Sequence, residues 1–268
     1  MWGKQMPSIE IKGLKVNYVE QGTGDESIVF VHGFFPSALG SWKEAMQLLP
    51  VKYHTYALDL RGYGQSEKVK DGFTIPQFAE DIYNFSQEIG IEQFTIVGHS
   101  MGGAIAQQFA LDYPEVLRSV VLVASVPAHG RPWAVNTGQQ TQLIRTNTSP
   151  EALRGFMTNI FSKPPTEQRL QEIINDYLVM GEDAYLLSRD AFNLFNQESR
   201  IGEIKLPTLV VAGEKDTAIP VDELQRTASG IAGSRFEVCT GLGHCLHIED
   251  GQRFVNLLIS FIEDAIPR

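Results

Sequence analysis

The sequence predicts an α/β fold: a mostly parallel sheet of eight strands flanked by helices, with a helical cap inserted late in the chain. Three observations carry this. Apolar runs such as Ser27-Ile28-Val29-Phe30-Val31 and Ser119 to Ala124 lack the alternation of a one-sided strand, as expected of strands buried on both faces of a parallel sheet. These runs alternate with stretches of helical period. From Val126-Pro127 to about Glu203 the strand pattern stops and only helical spacing remains. The chain therefore divides into a core of residues 1–126 and 204–268 and a cap of residues 127–203.

In order, Ser8 to Glu20 reads as two short strands around Gly13, with Ile9, Ile11, Val16 and Tyr18 alternating. The strand Ser27 to Val31 runs into the loop His32-Gly33-Phe34-Phe35-Pro36. Ser41 to Leu49 suits a helix that ends before Pro50. Tyr53 to Leu58 is the next strand, Ile75 to Ile89 an amphipathic helix, and Gly90 its stop. Phe94 to Val97 is a strand leading through Gly98-His99-Ser100-Met101-Gly102 into a helix that Tyr113-Pro114 terminates. Within the insertion, Ser149-Pro150 starts a helix, with a capping serine and proline at its first position. Leu153, Phe156, Met157, Ile160 and Phe161 follow at helical spacing, then Leu170, Ile173, Ile174, Tyr177 and Leu178, then a third helix from Tyr185 to Phe195. The sheet pattern resumes at Leu206 to Gly213. Val221 to Ile231 gives a helix, Arg235 to Val238 a last strand, and Gln252 to Ala265 a closing helix.

Composition narrows the partners. A net charge of −10 argues against nucleic acid or an anionic membrane surface. Two cysteines, Cys239 and Cys245, are too few for a disulfide framework and lack CxxC spacing, so no metal and no cofactor are expected. Cys245 reads as a small buried apolar residue. The stretch Met1 to Pro7 has no apolar signal core, and no run approaches the roughly 20 apolar residues of a membrane span. These readings predict a cytoplasmic protein without membrane or nucleic-acid partners, a monomer or homodimer.

The chemistry centres on Ser100. G-x-S-x-G at a strand-to-helix junction leaves no room for side chains beside the serine, holds it in a strained backbone conformation and exposes its hydroxyl at the carboxyl end of the sheet. The helix behind it offers free N–H groups to developing negative charge. A serine needs a base, and a base needs an orienting acid. Of six histidines, His32, His54 and His99 precede or touch the elbow, and His99 reads as structural, pointing away from Ser100. His129 begins the insertion. His244 lies in a glycine-rich loop after the last strand, free to reach over the sheet edge, and is preferred to His247, where a helix starts. Asp216 fits the acid, at the carboxyl end of the strand Leu209 to Ala212, with Glu214 and Asp222 as local competitors.

With these landmarks in place, the chain resembles the α/β-hydrolase superfamily over essentially its whole length, and in particular its lidded esterase, lactonase and C–C hydrolase branch. The residues that carry the likeness are His32-Gly33, Asp59 with Gly62, Gly64 and Ser66, the elbow at Ser100, Gly213 to Asp216, and Gly243-His244. The resemblance implies that Phe34 and Met101 supply the two oxyanion N–H groups. It also implies that His32, Asp59 and Arg61 shape loops without doing chemistry. Dehalogenases and epoxide hydrolases of this fold carry aspartate where this chain has Ser100. The meta-cleavage C–C hydrolases typically show asparagine before the nucleophile and tryptophan after the histidine, where this chain has His99 and Cys245. Proline iminopeptidases usually place glycine and tryptophan around the serine.

The resulting expectation is a serine hydrolase that cleaves a small, apolar or moderately polar ester or lactone through an acyl-enzyme, with Ser100, His244 and Asp216 as triad. C–C hydrolysis, perhydrolysis, acyl transfer and a low-turnover ligand receptor are the alternatives. Trp133, Phe156, Ile160 and Phe192 are the expected substrate-binding residues under the cap, whose apolar surface exceeds what a peripheral bundle needs.

Overall fold

Strands β1 (Ser8–Ile11), β2 (Leu14–Gln21), β3 (Glu26–Val31), β4 (Tyr53–Leu58), β5 (Phe94–His99), β6 (Leu117–Val123), β7 (Thr208–Gly213) and β8 (Arg235–Cys239) form one sheet in a computed structural model of the chain. It describes residues 6–128, 150–180 and 182–265. The order across the sheet is β1-β2-β4-β3-β5-β6-β7-β8. Only the β1–β2 and β2–β4 pairings are antiparallel; every later pairing is parallel. Every residue of β5 and β7 is buried, which is why these strands read as continuous apolar runs.

Helix α1 (Ala38–Leu48) follows β3, α2 (Ile75–Glu88) follows β4, and α3 (Met101–Asp112) follows β5. The first begins three residues earlier than the periodicity of Ser41 to Leu49 suggests. The reason is a cap: the Ser37 hydroxyl accepts from the Gly40 N–H. After β6 come α4 (Pro150–Ile160), α5 (Glu167–Val179) and α6 (Glu182–Leu194); after β7, α7 (Val221–Gly230); after β8, the short α8 (Leu246–Glu249) and α9 (Gly251–Ala265). Pro150 stands at the first position of α4 as its sequence suggests, while Ser149, its expected cap, lies outside the described residues.

Two apolar layers sandwich the sheet. On one side Trp42, Ala45 and Met46 of α1 pack with Phe254, Leu258 and Phe261 of α9. On the other, Phe78, Ile82 and Phe85 of α2 pack with Ile105 and Phe109 of α3. A third cluster joins the inserted helices to the core: Leu153, Met157, Phe161, Ile173, Ile174 and Tyr177 close on Phe35, Cys245 and Ile248. Leu178 does not share this face. It is 49% exposed, because a position one residue past Tyr177 turns about 100° away around the helix.

The chain runs outward from β3 to β4 on one side and then back across to β5. The strand order thus reverses between β3 and β5, so the loops leaving their carboxyl ends diverge and open a crevice. The His32-Gly33-Phe34 loop and the Ser100 elbow leave the carboxyl ends of these two neighbouring strands.

Candidate active site

Ser100 has φ 54° and ψ −118°, a conformation that L-residues rarely adopt. Its neighbours explain how the turn closes. A Cβ on Gly98 would stand 2.2 Å from the Gly102 carbonyl oxygen, and one on Gly102 would stand 2.2 Å from the Val31 carbonyl oxygen. Glycine is required at both places by close approach of main chain. The Ser100 N–H is held by the Val123 carbonyl of β6 at 2.9 Å.

The loop after β3 presses directly on this elbow. A Cβ added to Gly33 would lie 2.7 Å from the His99 carbonyl oxygen, 3.0 Å from Ser100 Cβ and 3.3 Å from Met101 N. Phe34 and Met101, the two residues expected to present N–H groups, therefore flank Ser100 from two sides. The loop is pinned from beneath. His32 Nδ1–H donates to the Gly33 carbonyl at 2.8 Å, and His32 Nε2 accepts from the Leu60 N–H at 3.1 Å. Burial lowers its pKa to about 4, partly countered by the Gly33 bond, so the ring is neutral with its tautomer set by these partners. Asp59 accepts from the N–H of Ala38 at 2.7 Å and of Gln65 at 2.8 Å. Burial outweighs those two bonds and lifts its carboxyl to about 6. Arg61 pairs through two 2.6 Å bonds with Asp81 on α2. Each of the three holds a loop in shape.

His244 Nδ1 stands 2.8 Å from Asp216 Oδ2, so the histidine and acid singled out from sequence are brought together. The Asp216 side chain is fully buried, and its Oδ1 accepts from the N–H groups of Ala218 at 2.8 Å and Ile219 at 2.9 Å. Burial lowers the His244 pKa, but the charge and hydrogen bond of Asp216 outweigh it and the net direction is upward. The competitors are accounted for: Glu214 accepts from the Gly241 N–H at 2.8 Å, and Asp222 lies in the first turn of α7. The hydrogen bonds of His244 run to Asp216 and to His99; none joins Nε2 to Ser100 Oγ, a contact that apo sites often leave long.

His247, the weaker histidine candidate, is fully buried on α8 with Nε2 3.3 Å from Ser41 Oγ. Burial, then the neighbouring His244 and Arg169, press its pKa down to about 3. Cys245 is buried in the third apolar cluster, and burial raises its thiol pKa well above the ordinary value. Among the described residues no group of three His, Cys, Asp or Glu side chains could hold a metal ion, and no helix is long and apolar enough to cross a membrane.

The expected substrate-contacting residues fare unevenly. Phe192 is buried, its ring 5.6 Å from that of Phe34. Ile160 is partly buried against the third apolar cluster. Trp133, His129 and the side chain of Phe156 lie outside the described residues.

The family model for the alpha/beta hydrolase fold matches residues 26–251, from β3 through the histidine loop. This chain is a hydrolase of the α/β-hydrolase fold family. The hydrolase is 31% identical over 257 residues to the dihydrolipoyllysine-residue acetyltransferase component of an acetoin cleaving system of Cupriavidus necator, covering 93% of this chain and 67% of that one. It is 29% identical to the 2-hydroxy-6-oxo-6-phenylhexa-2,4-dienoate hydrolase of Comamonas testosteroni, over 94% of this chain and 93% of that one. Among solved structures it superposes with TM-score 0.80 on an N-acyl homoserine lactone degrading enzyme, 28% identical, over 95% of this chain and 100% of that one.

Three features of the site were not read from sequence. His99 was expected to point away from Ser100 as a structural residue, and its partner was not foreseen: Nε2 of this buried ring lies 3.1 Å from the His244 carbonyl oxygen. Glu249 was assigned no role, yet it accepts from Gly243 N–H at 2.9 Å beside that histidine. Tyr177 reads as one more apolar helix position, yet its hydroxyl donates to the Phe34 carbonyl at 2.6 Å. The His99 and Tyr177 contacts join residues 145 and 143 positions apart in the chain, and no local pattern announces them.

Proposed function

We propose that this hydrolase cleaves a carboxylic ester or lactone through an acyl-enzyme on Ser100. The observation that carries the reading is the positive φ of Ser100, held directly against the Gly33–Phe34 loop while a buried Asp216 orients His244. A non-glycine residue at φ 54° costs of the order of 1–3 kcal/mol, a strain that placing a hydroxyl at the crevice accounts for. His244 takes the Ser100 proton as the hydroxyl attacks the carbonyl carbon. The Phe34 and Met101 N–H groups receive the oxyanion. His244 then protonates the leaving alkoxide, and water, activated by the same imidazole, releases the acid. The helices between β6 and β7 act as a cap that roofs the acyl pocket.

C–C hydrolysis is the second reading, favoured by the similarity to the dienoate hydrolase of Comamonas testosteroni. His99 and Cys245 stand against it, at positions where those enzymes typically carry asparagine and tryptophan. The deciding experiment compares kcat/KM on p-nitrophenyl esters, an N-acyl homoserine lactone and a 2-hydroxy-6-oxodienoate. Turnover of an ester or lactone, lost in Ser100→Ala, supports the proposal. Turnover confined to the dienoate replaces it with the second reading. A single stoichiometric burst on every substrate means a receptor.

A further inference from the structure

We propose that Tyr177 and Asp176 of α5 are positioning residues for the oxyanion loop, so that the inserted helices set the transition-state geometry as well as roofing the pocket. The inference rests on the reading of Ser100 as nucleophile and of Phe34 as an oxyanion donor.

The argument begins with the peptide planes of the loop. In a planar trans peptide the C=O and N–H point in opposite directions. His32 Nδ1–H holds the Gly33 carbonyl at 2.8 Å and so aims the Phe34 N–H the opposite way. That bond fixes one plane only. The next plane, Phe34–Phe35, is held by the Tyr177 hydroxyl at 2.6 Å from the Phe34 carbonyl oxygen. Two residues on, the Pro36 carbonyl accepts from the Gly64 N–H at 2.9 Å, and the Ser37 hydroxyl donates to Asp176 Oδ2 at 2.6 Å. Consecutive residues of α5 therefore grip the loop at Phe34 and at Ser37. With both planes adjoining its Cα fixed, Phe34 has no soft torsion left by which its N–H can swing away.

Helix α5 is itself held firmly enough to deliver this. Arg169 donates to the carbonyls of Leu39 at 2.8 Å and Gly40 at 2.9 Å and pairs with Glu44, while Lys43 pairs with Glu172 at 2.6 Å. These contacts dock α5 on α1, the helix that continues the oxyanion loop. Tyr177 is buried, and burial lifts its hydroxyl pKa well above the ordinary value, which keeps the proton it donates. The α6 side chains Tyr185 and Phe192 flank the Phe34 ring at 5.3 and 5.6 Å between centroids.

The test is Tyr177→Phe, which removes one hydroxyl and preserves the ring, assayed on p-nitrophenyl butyrate beside Ser100→Ala. The expected result is a fall in kcat of about tenfold with KM within about twofold, because a misaimed donor weakens the transition state and not the ground state. Affinity for phenylboronic acid, which adds to the serine as a tetrahedral anion, should weaken by the same factor, while inhibition by butyrate stays put. A merely structural role predicts no such split. Asp176→Ala should behave alike and Asp176→Asn, which keeps an acceptor for Ser37, should recover most of the loss; this pair decides the matter if Tyr177→Phe does not fold. Wild-type kcat and boronate affinity in Tyr177→Phe, or a loss confined to KM, overturns the proposal. If Ser100→Ala retains wild-type turnover, the nucleophile reading falls and takes this inference with it. If Ser100→Ala is inactive and Tyr177→Phe unchanged, the positioning role alone falls.

Discussion

His99 Nε2 lies 3.1 Å from the carbonyl oxygen of His244, so the residue before the elbow serine is hydrogen-bonded to the main chain of the histidine that pairs with Asp216. Since the carbonyl accepts, His99 carries its proton on Nε2. Burial, then the neighbouring His247 and His244, hold its pKa well below the ordinary value, and the ring stays neutral. His99→Leu should leave the His244 carbonyl without this partner, costing about 1–3 kcal/mol of stability and lowering kcat. His99→Asn, which offers an amide donor, should retain more of both. Urea midpoints and steady-state kinetics measure the two effects; a leucine variant equal to wild type in kcat removes the functional role.

Ser100 offers a cleaner separation of strain from chemistry. Ser100→Ala keeps the strained backbone, so it should lose about 10⁴ or more in kcat with little change in stability. Ser100→Gly should be equally inactive yet more stable, by about 1 kcal/mol or more, since glycine accepts φ > 0 without penalty. Thermal unfolding of the two variants side by side decides this. Equal melting temperatures would mean that the elbow stores no strain.

The elbow at Ser100 and the sheet-edge positions of Asp216 and His244 could be picked out because each depends on local pattern. Gly98 follows from main-chain contact one turn on and Gly102 from the close approach of the strand ending at Val31, both at a strand-to-helix turn that the G-x-S-x-G spacing marks. The Gly213 to Asp216 and Gly243-His244 stretches are sheet-edge loops that announce themselves by composition. The alternation of apolar strands gave the sheet for the same reason. What was not legible depends on tertiary approach. Nothing near His99 in sequence indicates that it meets residue 244, and Tyr177 shares its helical period with buried Ile173 and Ile174 although its hydroxyl, not its ring, makes the informative contact. Leu178 shows the opposite error: adjacent in sequence to the buried face, it is carried outward by helical rotation.

On the proposed mechanism the pH dependence of activity follows from His244. Its pKa is raised, the Asp216 charge and bond outweighing burial, so the unprotonated base appears only above the ordinary histidine value. The ratio kcat/KM should therefore rise with pH through a midpoint above about 6.5. In Asp216→Asn the burial remains while the countercharge is lost, so the midpoint should move down as kcat falls by up to about 10⁴. A mutant midpoint at or above that of wild type contradicts the pairing.

Stability should follow pH for a different reason. His32 and His247 are held down to about 4 and about 3, and His99 is also lowered, each first by burial. Below about pH 6.5 the unfolded chain binds protons at these three positions that the folded chain refuses, so stability is full above that pH and is lost as pH falls toward the folded values. Each of the three loses stability progressively as pH falls from about 6.5 toward 5. Asp59, raised to about 6 by burial, Asp81 and Asp176, also raised by burial, and His244, raised against burial by Asp216, act with the opposite sign, and the lowered Glu172 acts with the three histidines. The imidazoles decide the window because their unfolded value lies near about pH 6.5, whereas Asp59 begins to bind its proton only near pH 6. Urea denaturation should show a lower midpoint at pH 5.0 than at pH 7.5. A midpoint that is flat or higher at pH 5.0 rules out three neutral buried imidazoles.

Gly33 tests the proposed oxyanion loop without replacing any side chain at the site. A Cβ there would meet the His99 carbonyl oxygen at 2.7 Å, Ser100 Cβ at 3.0 Å and Met101 N at 3.3 Å. These atoms belong to the elbow, which sits between a buried strand and a buried helix and has little freedom to give. The loop must yield instead, carrying the Phe34 N–H away from the position that an oxyanion on Ser100 would occupy. Losing one such donor costs about 10²–10³ in kcat, so Gly33→Ala should fall in that range with KM little changed and stability reduced by about 1–3 kcal/mol. Phe34→Ala makes the contrast. It keeps the N–H and removes the ring that Tyr185 and Phe192 flank, so it should act more on KM for bulky acyl groups than on kcat for small activated esters. Steady-state kinetics on acetate and longer p-nitrophenyl esters separate the two. If Phe34→Ala loses more kcat on the acetate than Gly33→Ala does, the ring and not the amide is the functional part of residue 34.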